Sequence, residues 1–336
     1  RGRAHPLRRE EGNTMGHTSD TPAQQAAPSR IDAFFAVPAV AVVMAILCNA
    51  MWGSAFPFIK MGYRLFAIDA ADTPSILCFA GVRFMLGAVL VWLFGLLLER
   101  RPLPMPRGRD LAACCALGLW QTSTQYFFYY NAVALLTGAL GGILNSTQSF
   151  MGVILAHFLY GKADRMTLPK ALGCVLGFGG VLVVTLGDGA GGSPAGIACM
   201  LLASAVFASS GPWNKAVTRR VNSFSVTCLN LGVGGLVLAV LGFAMGGSLH
   251  PQSMGAVPVL LILALISAVG YVLWALLMKN NPVSRISVFG LVIPVVNVLL
   301  SAVLNGEPLF KWNYLAALAL VCAGIVLVNR APKRSE

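Results

Sequence analysis

Ten apolar windows dominate this chain, at 34–58, 74–98, 111–131, 138–160, 171–186, 195–214, 223–245, 256–278, 286–304 and 313–329, and Arg83 is the one Lys, Arg, Asp or Glu inside them. Most approach the roughly 20 apolar residues that carry an α-helix across a bilayer. Charged residues make up only 11% of the sequence and hydrophobic residues 57%, against about 25% charged in soluble chains. In hydrocarbon an open chain satisfies its backbone only as helix. The sequence therefore predicts an all-α integral membrane protein with ten transmembrane helices. The fifth window is short, and Gly173, Gly177, Gly179 and Gly180 within it predict close packing on a neighbour rather than exposure to lipid.

The chain repeats itself. Residues 285–330 hold two apolar runs joined by Asn305, Gly306, Glu307 and Pro308, and the same plan recurs 145 positions earlier. There Val153, Leu155, Leu159, Gly161, Ala171, Gly179 and Val181 fall on Val298, Leu300, Leu304, Gly306, Ala316, Gly324 and Val326. A second echo, at an offset of 155, aligns Trp52, Ser54, Pro57 and Lys60 with Phe207, Ser209, Pro212 and Lys215. The change of offset places about ten extra residues in the first copy, most simply at 61–73, as in a duplicated module with one lengthened loop. Five windows per copy is an odd number, so the second copy is expected upside down relative to the first. Inverted repeats of this kind enclose a cavity at their interface that opens alternately to the two sides. The expected organisation is a disordered basic tail at 1–33, repeats at 34–186 and 195–329 joined by a loop at 187–194, and a short tail at 330–336.

Loop charges supply an orientation. With the N-terminus in the cytoplasm, twenty of the 24 Lys and Arg residues fall on the cytoplasmic side and three, Lys60, Arg64 and Lys311, on the other. That is the bias cytoplasmic loops carry. Both termini are thus expected in the cytoplasm and the chain in the plasma membrane, the bacterial inner membrane. The net charge of +12 is mostly this topology signal, with an added attraction to anionic lipid and no nucleic-acid role.

Residues 1–30 are polar and basic and lack the apolar core and cleavage site of a signal peptide, and Met15 is a candidate natural start. All eight cysteines stand in apolar windows without paired ligand spacing, which reads as small packing residues. The chain carries no Gly-rich phosphate loop ending in Lys-Ser/Thr, no zinc-binding His pair and no nucleophile elbow. Neither enzyme chemistry, cofactor nor metal is expected, and ATP-driven pumping would need a separate subunit.

Trp52-Gly-Ser with Pro57 and Lys60, Val82-Arg83-Phe84 in the second window, and Ile293-Pro294 followed by Asn305-Gly306-Glu307 and a Gly-containing last helix resemble the EamA-type members of the drug/metabolite transporter superfamily. The resemblance covers about residues 35–330. It implies a ten-helix secondary transporter of small metabolites such as amino acids, amines or related solutes, commonly exporting them. Ser149 stands where the second half has Pro294, and Lys162 where it has Glu307.

Arg83 lies about nine residues inside the second window, and a cation there is costly unless it faces the bundle. It reads either as a receptor for a substrate carboxylate or as a structural arginine tied to carbonyls. The third window offers Gln121, Gln125 and Tyr126, and the fourth Asn145, Gln148 and Ser149; at helical spacing Gln121, Gln125 and Phe128 share a face, as do Asn145, Ser149 and Gly152. Such stripes line a cavity or join helix to helix. Asn297, with Pro294 and Ser301, gives the second half a sparser stripe, while Asn49 and Trp52 fit a wall ending at the Pro57 kink. Tyr63, Phe56 and Trp213 read as gates or interfacial belt residues, and Lys60 and Lys215 as rim charges at equivalent positions of the two copies.

No Asp or Glu falls within a window, which leaves His157 as the intramembrane group that titrates near neutral pH, a coupling residue or a packed one. The expected partners are a small-molecule substrate and the lipid bilayer, with a homodimer left open. Epitope tags fused to the two ends should both be reached only after the membrane is permeabilised from the outside; tags on opposite faces would refute the topology.

Overall fold

The computed structural model describes residues 30–160, 166–187, 193–281, 286, 288–306 and 311–330. The expectations placed on the N-terminal tail, the linker at 188–192, Gly161, Lys162, Glu307 and the C-terminal tail lie outside the described residues. Among those described, the chain is helical without strands. A short α1 (Arg30–Ala36) leads into α2 (Pro38–Leu65) and α3 (Thr73–Glu99); α4 (Gly108–Gly118) passes through a π-helical turn, Leu119–Thr124, into α5 (Gln125–Leu135). Then come α6 (Gly138–Asn145), α7 (Thr147–Tyr160) and α8 (Leu168–Gly187). The second half holds α9 (Pro194–Thr218), α10 (Ser223–Ala244), α11 (Ala256–Asn280), α12 (Val292–Asn305) behind a 3-10 turn, and α13 (Trp312–Arg330).

Local chemistry sets the ends. The Asp72 carboxylate accepts the Ser75 N–H at the start of α3, and the Asn222 side chain accepts the Phe224 and Ser225 N–H groups at the start of α10. Both meet orphan donors of a first turn. Gly306, at φ 66°, closes α12 in the left-handed region. Pro57 in α2 and Pro212 in α9 stand inside their helices and each removes one backbone hydrogen bond.

Six helices, α2, α3, α9, α10, α11 and α13, are long and apolar enough to cross a membrane. The other windows are helical but shorter or interrupted: Leu168–Val183 and Phe289–Asn305 are short apolar helices. The third and fourth windows are broken by their own polar residues. Thr122 and Ser123 turn sideways to bond α10, through the Asn230 side chain and the Gly234 carbonyl, where the backbone widens. At the α6–α7 break the Ser146 and Thr147 hydroxyls donate back to the Gly142 and Leu144 carbonyls, an alternative that competes with regular helix.

Large apolar side chains face outward as well as inward: Val43, Val89, Leu97, Val240 and Val303 are exposed, as lipid-facing residues must be. Phe56, Phe79, Phe84, Tyr130, Leu140 and Phe150 fill the interior.

Helix α3 lies along α10 and α8 along α13, the two most extensive contacts. In both pairs glycine lets backbones meet. A Cβ on Gly242 would lie 2.6 Å from the Cys78 N, one on Gly235 2.9 Å from the Met85 N, and Gly232 faces Ala88. Numbers rise along α3 as they fall along α10, so the pair is antiparallel; Gly173 against Gly324 and Gly180 against Ala317 show the same for α8 and α13. Elsewhere α2 packs on α11 and α12, and α9 on α5, α6 and α7. Exchanging each first-half helix for its second-half counterpart leaves this pattern unchanged, as a pseudo-two-fold axis requires. Gly81→Ala would drive a Cβ into the Ala239 backbone; it should destabilise the protein by about 1–3 kcal/mol, read as a lowered melting temperature in detergent. Gly179→Ala, with nothing within 4 Å of the new Cβ, should leave it unchanged.

Candidate functional site

Where the halves meet, they enclose a cavity of about 60 Å³. From the first half Trp52 of α2, Arg83 of α3, Gln125, Tyr126 and Tyr129 of α5, and Asn145 and Gln148 at the α6–α7 break face it. The second half adds Phe207 of α9, Ser267 and Tyr271 of α11 and Ile293 of α12. The cation and the three amides all come from the first half, whereas both halves supply aromatic rings.

Arg83 is 3% exposed. Its Nε donates to the Leu263 carbonyl at 3.1 Å and one terminal nitrogen to the Tyr130 hydroxyl at 2.5 Å. The guanidinium carbon sits 5.1 Å from the centre of the Phe84 ring and 5.9 Å from that of Tyr130, within cation–π range. These contacts fix its place but do not match its charge. The described ion pairs, Arg101 with Glu99 and Arg220 with Asp110, both involve helix-end residues, and every Asp and Glu of the chain falls outside the apolar windows.

The aromatic wall is built across the two halves. Trp52 packs on Tyr271 and Trp274 at centroid distances of 5.7 and 5.3 Å, lodged against Gly270, where a side chain would meet the indole nitrogen. The Tyr126 and Tyr271 hydroxyls lie 3.2 Å apart. These residues are separated by 145 positions, the repeat offset, so the hydroxyl pair joins equivalent points of the two copies. Beside them Gln125 is 4% exposed and its carbonyl oxygen is buried without a hydrogen-bond partner, a state costly in a dry interior. Asn145 and Gln148 are partly buried and add two further amides to the same wall.

Six residues expected at a solute site, Trp52, Arg83, Gln125, Tyr126, Asn145 and Gln148, thus converge on the cavity, and three do not. Asn49 donates to the Ala45 carbonyl of its own helix at 2.7 Å. Gln121 accepts from Asn214 at 3.1 Å and Asn230 at 2.8 Å, tying α9 and α10 to the π-helical turn. Asn297 receives the Ser301 hydroxyl at 3.3 Å and packs against Gly142. The shared face expected for Gln121 and Gln125 is lost because an i→i+5 turn uses more residues per revolution. Ser149, expected to share a face with Asn145, is exposed because the break at Ser146 interrupts the helix. Among the residues not expected there, Ser267 and Tyr271 carry a legible signal: two polar positions four apart in an otherwise apolar window.

The remaining candidates stand away from the cavity. His157 lies in the last turn of α7, where its Nδ1 accepts the Met166 backbone N–H at 3.2 Å. Lys60 donates to the Leu136 carbonyl at 2.9 Å, securing the end of α5. The Tyr63 hydroxyl donates to the Tyr130 carbonyl at 2.9 Å, and Tyr63, Phe66, Phe79 and Tyr130 form a buried aromatic cluster, while Phe56 packs on Tyr129. A second, aliphatic cluster gathers Leu117, Val217, Val221 and Val226 around Cys114, where α4 meets the end of α9 and the start of α10. Trp213 is 37% exposed, and the Lys215 side chain lies outside the described residues.

The chain resembles known proteins over nearly its whole length. It is 27% identical over 298 residues to the uncharacterized transporter YvbV of Bacillus subtilis, covering 85% of this chain and 90% of the relative. It is 26% identical to a probable amino-acid metabolite efflux pump of Salmonella typhimurium, covering 84% and 93%, and 25% identical to the uncharacterized inner membrane transporter YedA of Escherichia coli, covering 83% and 87%. A solved crystal structure 18% identical in sequence superposes with a TM-score of 0.64 over 88% of this chain and 99% of its own, a likeness of fold alone. The sequence pattern of the EamA-like transporter family matches residues 39–186 and again 194–330. With one match on each half, the chain is a multi-pass membrane protein that belongs to the EamA-like transporter family.

Proposed function

We propose that this protein is a secondary transporter that moves a small metabolite, an amino acid, amine or related solute, across the plasma membrane by alternating access, in the direction of export. Its ten helical passes form two inverted five-helix repeats with both termini in the cytoplasm. The observation that carries the reading is the cavity at the seam of the two halves, where Arg83, Gln125, Asn145 and Gln148 face Trp52, Tyr126 and Tyr271. Antiparallel pairing of α3 with α10 and of α8 with α13 supports the inversion, and the charge bias of the loops supports the orientation. Efflux-pump relatives at about this identity favour export of amino-acid metabolites.

A membrane scaffold or channel is the alternative, and it would tolerate loss of the polar wall or conduct without saturation. Coupling through His157 is the weaker part of the expectation, because that ring sits at the end of α7 rather than at the cavity.

A resistance screen in cells overproducing the protein, followed by flux of the recovered solute in proteoliposomes, tests the reading. Arg83→Ala and Gln125→Leu should lower flux by about tenfold or more, a loss of at least about 1.4 kcal/mol in the transport barrier, without loss of membrane protein. Unchanged flux from both variants would remove the cavity from the mechanism. Gln121→Leu should behave differently: it strips the Asn214 and Asn230 amides of their acceptor, so stability should fall by about 1–3 kcal/mol while flux per folded molecule is kept. Flux that follows an imposed pH gradient in wild type and not in His157→Ala would restore a coupling role to that residue.

A further inference from the structure

Arg83 is the one charge this chain commits to its apolar interior. A guanidinium has five N–H donors, and among the described residues two hydrogen-bond partners engage it, the Leu263 carbonyl and the Tyr130 hydroxyl. The cation–π contacts with Phe84 and Tyr130 soften the charge from one side without neutralising it. The rest of the group belongs to the cavity wall. Every Asp and Glu lies outside the apolar windows, and among the described residues no acidic side chain pairs with Arg83.

We propose that the carrier is an obligatory exchanger of carboxylate-bearing solutes, with Arg83 as the carboxylate receptor. The inference rests on the transport reading above and narrows it. To pass between inward- and outward-open forms, a carrier of this design closes the cavity from both sides. With a carboxylate bound, the guanidinium crosses that point as a hydrogen-bonded ion pair, the geometry to which its planar fork is suited. Unloaded, it crosses as a lone cation in low dielectric, a costly state in hydrocarbon. The loaded route is therefore fast and the unloaded return slow, so net movement of one solute waits on a second one travelling back. The unpartnered Gln125 oxygen takes a donor beside the carboxylate, such as the ammonium of an amino acid, and the Trp52 and Tyr126 rings cover the remainder. A simple amine offers nothing to Arg83 and repels it.

The test uses the wild-type full chain in proteoliposomes. An equimolar mixture of radiolabelled L-amino acids is placed outside vesicles that hold the same mixture unlabelled, the matching decarboxylated amines, or sulfate buffer alone. Exchange predicts uptake into amino-acid-loaded vesicles at least about tenfold faster than into the other two, a barrier difference of about 1.4 kcal/mol. Equal uptake with and without an internal load would overturn exchange while leaving a transporter in place. Stimulation by internal amines equal to that by amino acids would overturn the role given to the carboxylate. Saturable uptake in none of the three would sink the proposal together with the transport reading for these solutes. Arg83→Gln, checked for monodisperse elution in detergent, should lose the stimulation by internal amino acids; retention of that stimulation would place the receptor elsewhere.

Discussion

Close backbone contact between antiparallel helices is the constraint on which the rest of this structure depends. Lipid tails are as apolar as leucine, so helices in a bilayer gain little by hiding apolar surface and must gain by fit. At Gly81, Gly235 and Gly242 in one pair, and at Gly173, Gly180 and Gly324 in the other, the missing side chains let main chains touch. Each pair takes one helix from either half. The two repeats are thereby held together along α3 with α10 and α8 with α13, and the cavity forms between the helices these seams bring opposite one another.

Polarity is distributed less evenly than packing. Gln125, Asn145 and Gln148 all come from the first half, and the passes that carry them are the ones whose helices are interrupted. The interruptions come from neighbouring hydroxyls, Thr122, Ser123, Ser146 and Thr147, which bond α10 or carbonyls of their own helix, a competition with regular helix that no water relieves in hydrocarbon. The second half contributes longer, more continuous helices, and its side chains at the cavity, Phe207, Ser267, Tyr271 and Ile293, include no amide and no charge. Two buried clusters also differ in kind, aromatic at Tyr63, Phe66, Phe79 and Tyr130 and aliphatic around Leu117 and Val217.

Much of this was legible in the sequence because a bilayer enforces simple rules. Apolar windows became helices, and Arg83 drew notice as a lone charge among them. Trp52, Gln125, Tyr126, Asn145 and Gln148, singled out because polar and aromatic residues in hydrocarbon need partners, lie on the cavity wall. Asn49, Gln121 and Asn297 sent the same signal and proved to bond within or between helices, since both uses call for the same chemistry. What separates Gln121 from Gln125 is a local widening of the helix, and spacing alone assumes a regular turn. Phe207 carried only the repeat signal, falling on Trp52 at the offset of 155, and Ile293 only its place beside Pro294; that both reach the cavity follows from tertiary packing.

The hydroxyl pair of Tyr126 and Tyr271 joins equivalent points of the two repeats, whereas Arg83 belongs to one repeat only, α10 having no charged residue. A point on a two-fold axis is its own image, so in the proposed alternating-access cycle the tyrosines would hold station while the guanidinium shifted in depth. A solute arriving from the cytoplasm and one arriving from outside would then dock against unlike sites. For a passive carrier, detailed balance converts that difference into unequal half-saturation at the two faces, offset by an unequal resting occupancy of the two conformers. A lean toward one direction under cellular concentrations needs no further machinery than this lopsided placement of one side chain.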